Sequence, residues 1–149
     1  MDTRPVTAPP EAPARLVGYR RVVDTVYGYL QGLFVLGVLV QIYLAGVGAF
    51  GRKQAHSFDP HENFGHALGI AAIALLVLAL IAHVTRRTMI GALVLALLTE
   101  VAQEGLADGG RSVKWIGGVH AFDAALILAV SVWLLLSWRR RNRARATGG

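Results

Sequence analysis

The feature that most restricts this sequence is a set of four apolar runs, at about 22–50, 63–84, 88–106 and 117–138. A hydrocarbon core about 30 Å thick is crossed by roughly 20 mostly apolar residues in a helix, and each run is near that length. The second holds the clearest uncharged stretch, 67–82. The first contains Gly32, Gly37, Gly46 and Gly48, small residues that let membrane helices approach closely. The third has an uncharged core of only twelve residues, 88–99, so it spans only if the helix continues through Glu100, Gln103 and Glu104. Those polar groups then face protein rather than lipid. The fourth closes with Trp133 and Trp138 before "RRRNRAR", an interfacial aromatic and basic stop.

Composition agrees with this reading. The chain has 149 residues, 54% of them hydrophobic, and its charges sit almost wholly between and outside the apolar runs. A formal charge of +6 invites a nucleic-acid reading, but five arginines fall in the last eleven residues and the other basic residues also flank apolar segments. Membrane orientation accounts for them, and no nucleic-acid partner is expected. There is no cysteine, which excludes disulfides, thiolate metal sites and cysteine nucleophiles. The N-terminus, "MDTRPVTAPPEAPARL", lacks an apolar core and reads as a disordered tail over 1–21 rather than a cleavable signal peptide. The four-span unit covers 22–138, followed by a basic tail over 139–149.

Of the fifteen lysines and arginines, eleven lie in the two tails and the Arg86, Arg87 turn, and four in the loops after the first and third spans. Both termini are therefore expected in the cytoplasm of a cell whose plasma membrane the chain crosses four times. Short connections favour an all-α, up-down-up-down four-helix bundle. That topology gathers the end of span one, the start of span two, the end of span three and the start of span four at the extracytoplasmic face. His56, His61, His66 and His120 collect there with Asp59, Glu62, Glu100, Gln103, Glu104, Asp108 and Asp123, and Gln41 approaches from within span one. His83 alone falls near the cytoplasmic side.

His66 and His120 stand out, because each lies within about the first turn of its span at matching depth. Gly65 and Gly69 flank His66, and Gly117, Ala121 and Ala124 surround His120, giving clearance for a flat macrocycle. A neutral imidazole on each side supplies both axial ligands of a b-type haem. Gln41, Glu100, Gln103 or Asp123 is placed to hold an imidazole's other nitrogen. Arg52, Lys53, Arg111 and Lys114 are placed for the propionates. His56, His61 and His83 read as solvated loop or interface residues, and Tyr27, Tyr29, Tyr43 and Trp115 as aromatic belt or packing. A rival reading gives Glu62, Glu100, Glu104 and Asp123 with the histidines to a non-haem metal or proton-relay site. Another makes the chain a non-haem structural or partner subunit. No catalytic residue is singled out.

The motifs "VQIYLAGVGAF", "HENFGHALG", "EVAQEGLA" and "GGVHAFDAALIL", in that order, resemble one four-helix half of the haem A synthase family over about 41–128. The resemblance implies haem near the extracytoplasmic side, with His66 and His120 as ligands. The sequence departs from that family's pattern: Glu62 precedes His66 by four residues rather than three, Ala67 follows in place of arginine, and the cysteine pair and the second bundle are missing. These departures weigh against the family's oxygenase chemistry. The chain also resembles the actinobacterial membrane family called domain of unknown function 6220, with its small size, glutamine and glycine-rich first span and histidines opening spans two and four. That resemblance implies four spans. Electron transfer, haem handling or redox sensing is the expected role, with a membrane redox partner or a second copy of the chain as company.

Overall fold

The computed structural model describes residues 14–51 and 57–147. Five α-helices make four rods: α1 Ala14–Phe50, α2 Asp59–Ile81, α3 Arg86–Leu97 running through a π-helical turn, Leu98–Ala102, into α4 Gln103–Ser112, and α5 Lys114–Thr147. The described residues hold four helical stretches long and apolar enough to cross a membrane. Helix α1 begins at Ala14 rather than Val22, and α5 runs through the expected basic tail to Thr147. At 1.5 Å per residue, α1 with 37 residues and α5 with 34 exceed the thickness of a bilayer core, so both project past it at the end that carries the termini.

The rods form a square. Helix α1 packs on α2 and α5, and α3 with α4 packs on α2 and α5, so α2 and α5 face each other across the diagonal. One narrow stripe of each rod is buried: Tyr27, Phe34 and Val38 from α1, Leu68, Ala72, Leu75 and Ala79 from α2, Ala92 and Leu95 from α3, Ile127 and Leu134 from α5. The opposite stripes stay exposed and equally apolar, with Leu33 and Leu36 on α1 and Ile70, Ile73 and Val77 on α2. Such an outward face suits contact with hydrocarbon.

The third span continues through its polar end, as its short uncharged core demands. The continuation is not a plain α-helix: between Leu98 and Ala102 the backbone widens into a π turn, and the Thr99 hydroxyl donates to Leu95 O at 2.7 Å where it begins. One extra residue in the turn rotates everything after it by about 100°. Glu100 thereby lies against α2 while Gln103 reaches α5.

Candidate functional site

Two polar clusters lie at opposite ends of the bundle. At the far end, away from the termini, α1 and α2 are joined by a reciprocal clamp. Gln41 Nε2 donates to His61 O at 2.9 Å, and His61 Nδ1–H donates to Gln41 O at 3.2 Å. Gly65, one turn after His61, makes the approach possible, since a Cβ there would stand 2.9 Å from the Gln41 amide nitrogen. A second clamp ties the third rod to α5: Gln103 Nε2 donates to His120 O at 3.1 Å and to Asp123 Oδ2 at 3.0 Å. Asp123 is buried, 4% exposed. Between the clamps the His61 and His120 rings meet edge to face, centroids 6.3 Å apart. Phe58 closes the other side of His61 at 6.2 Å. Among the described residues His120 Nδ1 is buried without a hydrogen-bond partner, as is Gln41 Oε1.

This arrangement corrects the sequence reading at several residues. His66 does not face His120, and the expected bis-histidine site is not formed. His66 points to the flank of α2, its side chain 65% exposed, with Nδ1 2.9 Å from Glu104 Oε1. The clearance expected at Gly65 and Gly69 is filled by the protein itself, by the Gln41 amide and by the Glu100 carboxylate. A haem between His66 and His120 therefore does not fit these residues. His61, expected to be solvated, is half-buried and inward. Gln103 and Asp123 hold the backbone of His120 and each other, not its ring. Gly117 has open space beside it, Ala121 is exposed and Ala124 half-buried. Lys114 is exposed at the start of α5. Arg52, Lys53 and His56 lie outside the described residues, as does the side chain of Arg111. The carboxylates of the rival metal reading are dispersed: Glu100 sits on Gly69, Glu104 on His66, Asp123 on Gln103, and Glu62 is exposed on the first turn of α2. No three histidine or carboxylate side chains among the described residues gather to hold a metal ion.

The cluster at the termini end escaped the sequence reading. Asp24, 4% exposed, receives Arg145 Nη1 at 2.6 Å on Oδ2, with Arg141 Nη2 3.5 Å from Oδ1. Trp138 Nε1 donates to Asp24 O at 2.9 Å, and its indole lies on Gly28, where any Cβ would collide with it. Arg141 Nη1 donates to Thr88 Oγ1 at 2.9 Å, bringing α3 into the same knot. Two turns deeper, fully buried Gln31 donates to Ser131 O at 3.1 Å. The available signal was periodic: Asp24, Gln31 and Val38 recur every seven residues, as do Ser131 and Trp138. The chain from Arg139 onward, expected to be tail, is the partner that Asp24 needs.

Both clusters stand on a scaffold whose central part can be compared with known sequences. Residues 41–103 match the family of unknown function DUF6220. The DUF6220 region opens at Gln41 and closes at Gln103, the two clamp amides, and contains His61, His66, Gly69 and the π turn. His120, Asp123 and the knot around Asp24 lie outside it. No curated protein and no solved structure matches the chain.

Proposed function

We propose that this multi-pass membrane protein carries b-type haem at the far end of its bundle, where His61 and His120 would hold it, and that it serves electron transfer, haem handling or redox sensing. The far end is assigned to the extracytoplasmic side and the bundle to the plasma membrane, from the excess of lysine and arginine at the termini end. Two observations carry the reading: the inward His61 and His120 rings adjoin, centroids 6.3 Å apart, and His120 has a buried ring nitrogen with no partner among the described residues. The rings meet edge to face, so one of them turns for both to bind a single iron.

The donors suit the group. His61 gives its Nδ1–H to the Gln41 carbonyl, which leaves Nε2 as the lone-pair nitrogen and fixes the ring, the second-sphere pattern of ligating histidines. His120 brings a buried ring nitrogen that has no partner. Two imidazoles leave a bare ion such as zinc short of its usual three or four protein ligands, and no third donor gathers among the described residues. A haem brings four nitrogens of its own and needs only two from the protein. When bound, the haem would supply one-electron chemistry. Gln41 and Gln103 then set the depth of the two helices, and Lys114 with Arg52, Lys53 and Arg111 is assigned to the propionates.

A second reading, a colourless structural or partner subunit, rests on the completeness of the two amide clamps as interhelical hydrogen bonding. Absorption spectroscopy separates the two. Protein produced with added haem is expected to show a low-spin Soret band that His61→Ala and His120→Ala each abolish and His66→Ala leaves in place. Dependence on His66 instead of His61, or full pigment in both His61→Ala and His120→Ala, overturns the assignment. A folded, colourless wild type supports the structural subunit.

A further inference from the structure

The termini end carries a cleft of about 320 Å³ between the first turn of α3 and the last membrane turns of α5. On the α5 side, Trp133, Ser137, Arg140 and Arg141 follow at intervals of four, three and one, which places them on one face of the helix. On the α3 side stand Thr85 and Thr88 with Arg87. Three guanidinium groups thus line a cleft with no carboxylate among the described residues of its wall. Arg141 is already oriented by Thr88 and leans on Asp24 only at 3.5 Å. Arg87 and Arg140 are exposed and point their charge at the same space. The amino end of α3, capped by Thr85, adds the partial positive charge of a helix N-terminus.

We propose that this cleft binds the phosphodiester headgroup of an anionic phospholipid. The vertical layout fits a lipid better than a free ion. Trp133 lies two turns, about 10 Å, before Arg140 along α5, so the cleft runs from the aromatic level of a bilayer interface to the headgroup level. Its indole, 45% exposed, faces the acyl side while the arginines face the phosphate. Basic clefts between membrane helices select anionic lipids because the phosphate exchanges weak attraction in water for close, partly desolvated guanidinium contacts. The neighbouring cleft lined by Arg20, Arg21, His83 and Arg145 also contains Asp24, whose carboxylate neutralises it and leaves it the poorer site. This inference is independent of haem, since it concerns the opposite end of the bundle.

The test uses full-length protein in a mild detergent, stripped of lipid and titrated separately with dioleoylphosphatidylglycerol, dioleoylphosphatidylcholine and inorganic phosphate, with bound lipid read by native mass spectrometry. Phosphatidylglycerol adducts are expected on the wild type, with affinity falling about fivefold in each of Arg87→Gln and Arg140→Gln. Arg143→Gln, on the same helix but outside the cleft, should leave binding unchanged. Equal retention of phosphatidylcholine, an equal loss in Arg143→Gln, or no loss in the two cleft variants overturns the proposal. Displacement of the lipid by millimolar inorganic phosphate makes the site one for a free anion and also overturns it.

Discussion

Asp24 is the side chain whose removal should weaken the bundle most at the residue scale. Its carboxylate is 6% exposed and accepts from Arg145 at 2.6 Å, with the partly buried Arg141 3.5 Å away. Breaking a buried ion pair by deleting one partner costs about 3–5 kcal/mol, and the half-exposed Arg145 lowers that figure. Asp24→Ala is therefore expected to lose about 2–3 kcal/mol in a reversible unfolding titration in mixed detergent micelles. A change below about 0.5 kcal/mol would show that the knot is incidental. The same scale explains why one histidine was misjudged. His61 and His66 are five residues apart, which is about 140° round a helix, and only His61 shares the register of Leu68 and Leu75, seven and fourteen residues on. Depth was legible from the apolar runs. The facing direction was not, because α2 is as apolar on its lipid side as on its core side and polarity alone marks neither face.

At the scale of elements, turns and glycines decide where helices stop and how closely they approach. Helix α2 ends in a Schellman pair: His83 N–H donates to Leu80 O at 3.1 Å and Val84 N–H to Ala79 O at 3.3 Å. His83 sits in the left-handed region, φ 50°, a position that favours glycine. A left-handed conformation costs a residue with a Cβ about 1 kcal/mol, partly relieved for histidine. His83→Gly should therefore raise stability by about 0.5 kcal/mol, and His83→Val should lower it by about 1 kcal/mol or more in the same titration. Equal stability of all three would contradict the strained turn. Glycine 69 makes a different prediction. A Cβ there overlaps the Glu100 carboxylate, the far end of a flexible side chain that can swing aside, so Gly69→Ala should cost only about 1 kcal/mol, at the low end of overpacking. In a double-mutant cycle Glu100→Ala should recover most of it. Strict additivity would place Glu100 away from α2. That the third helix passes through Glu100 and Gln103 was legible from its length. The π turn that aims them apart was not, since one surplus residue in a helix leaves no mark in composition.

For the whole molecule, the number of crossings was legible and the side facing the cytoplasm is a separate question of charge. Four runs of sufficient length leave few alternatives in a bilayer, where every backbone polar group must be paired within its own helix. Four antiparallel rods place both termini on one side, and Asp24 with Arg145 joins the beginning of α1 to the end of α5 at that side. By sequence, eleven of the fifteen basic residues belong to the two tails and the Arg86, Arg87 turn, an excess that predicts a cytoplasmic termini end. The lack of cysteine makes the prediction clean, because a single introduced thiol is the only one in the chain. Ser112 and Ala146 are exposed at opposite ends. In intact cells a membrane-impermeant maleimide should label Ser112→Cys and reach Ala146→Cys only after permeabilisation. The reverse pattern would invert the bundle, moving the His61 and His120 rings to the cytoplasmic side and the arginine-lined cleft to the outer leaflet. Anionic lipid recognition would then have to draw on that leaflet, so the labelling result and the lipid titration constrain each other.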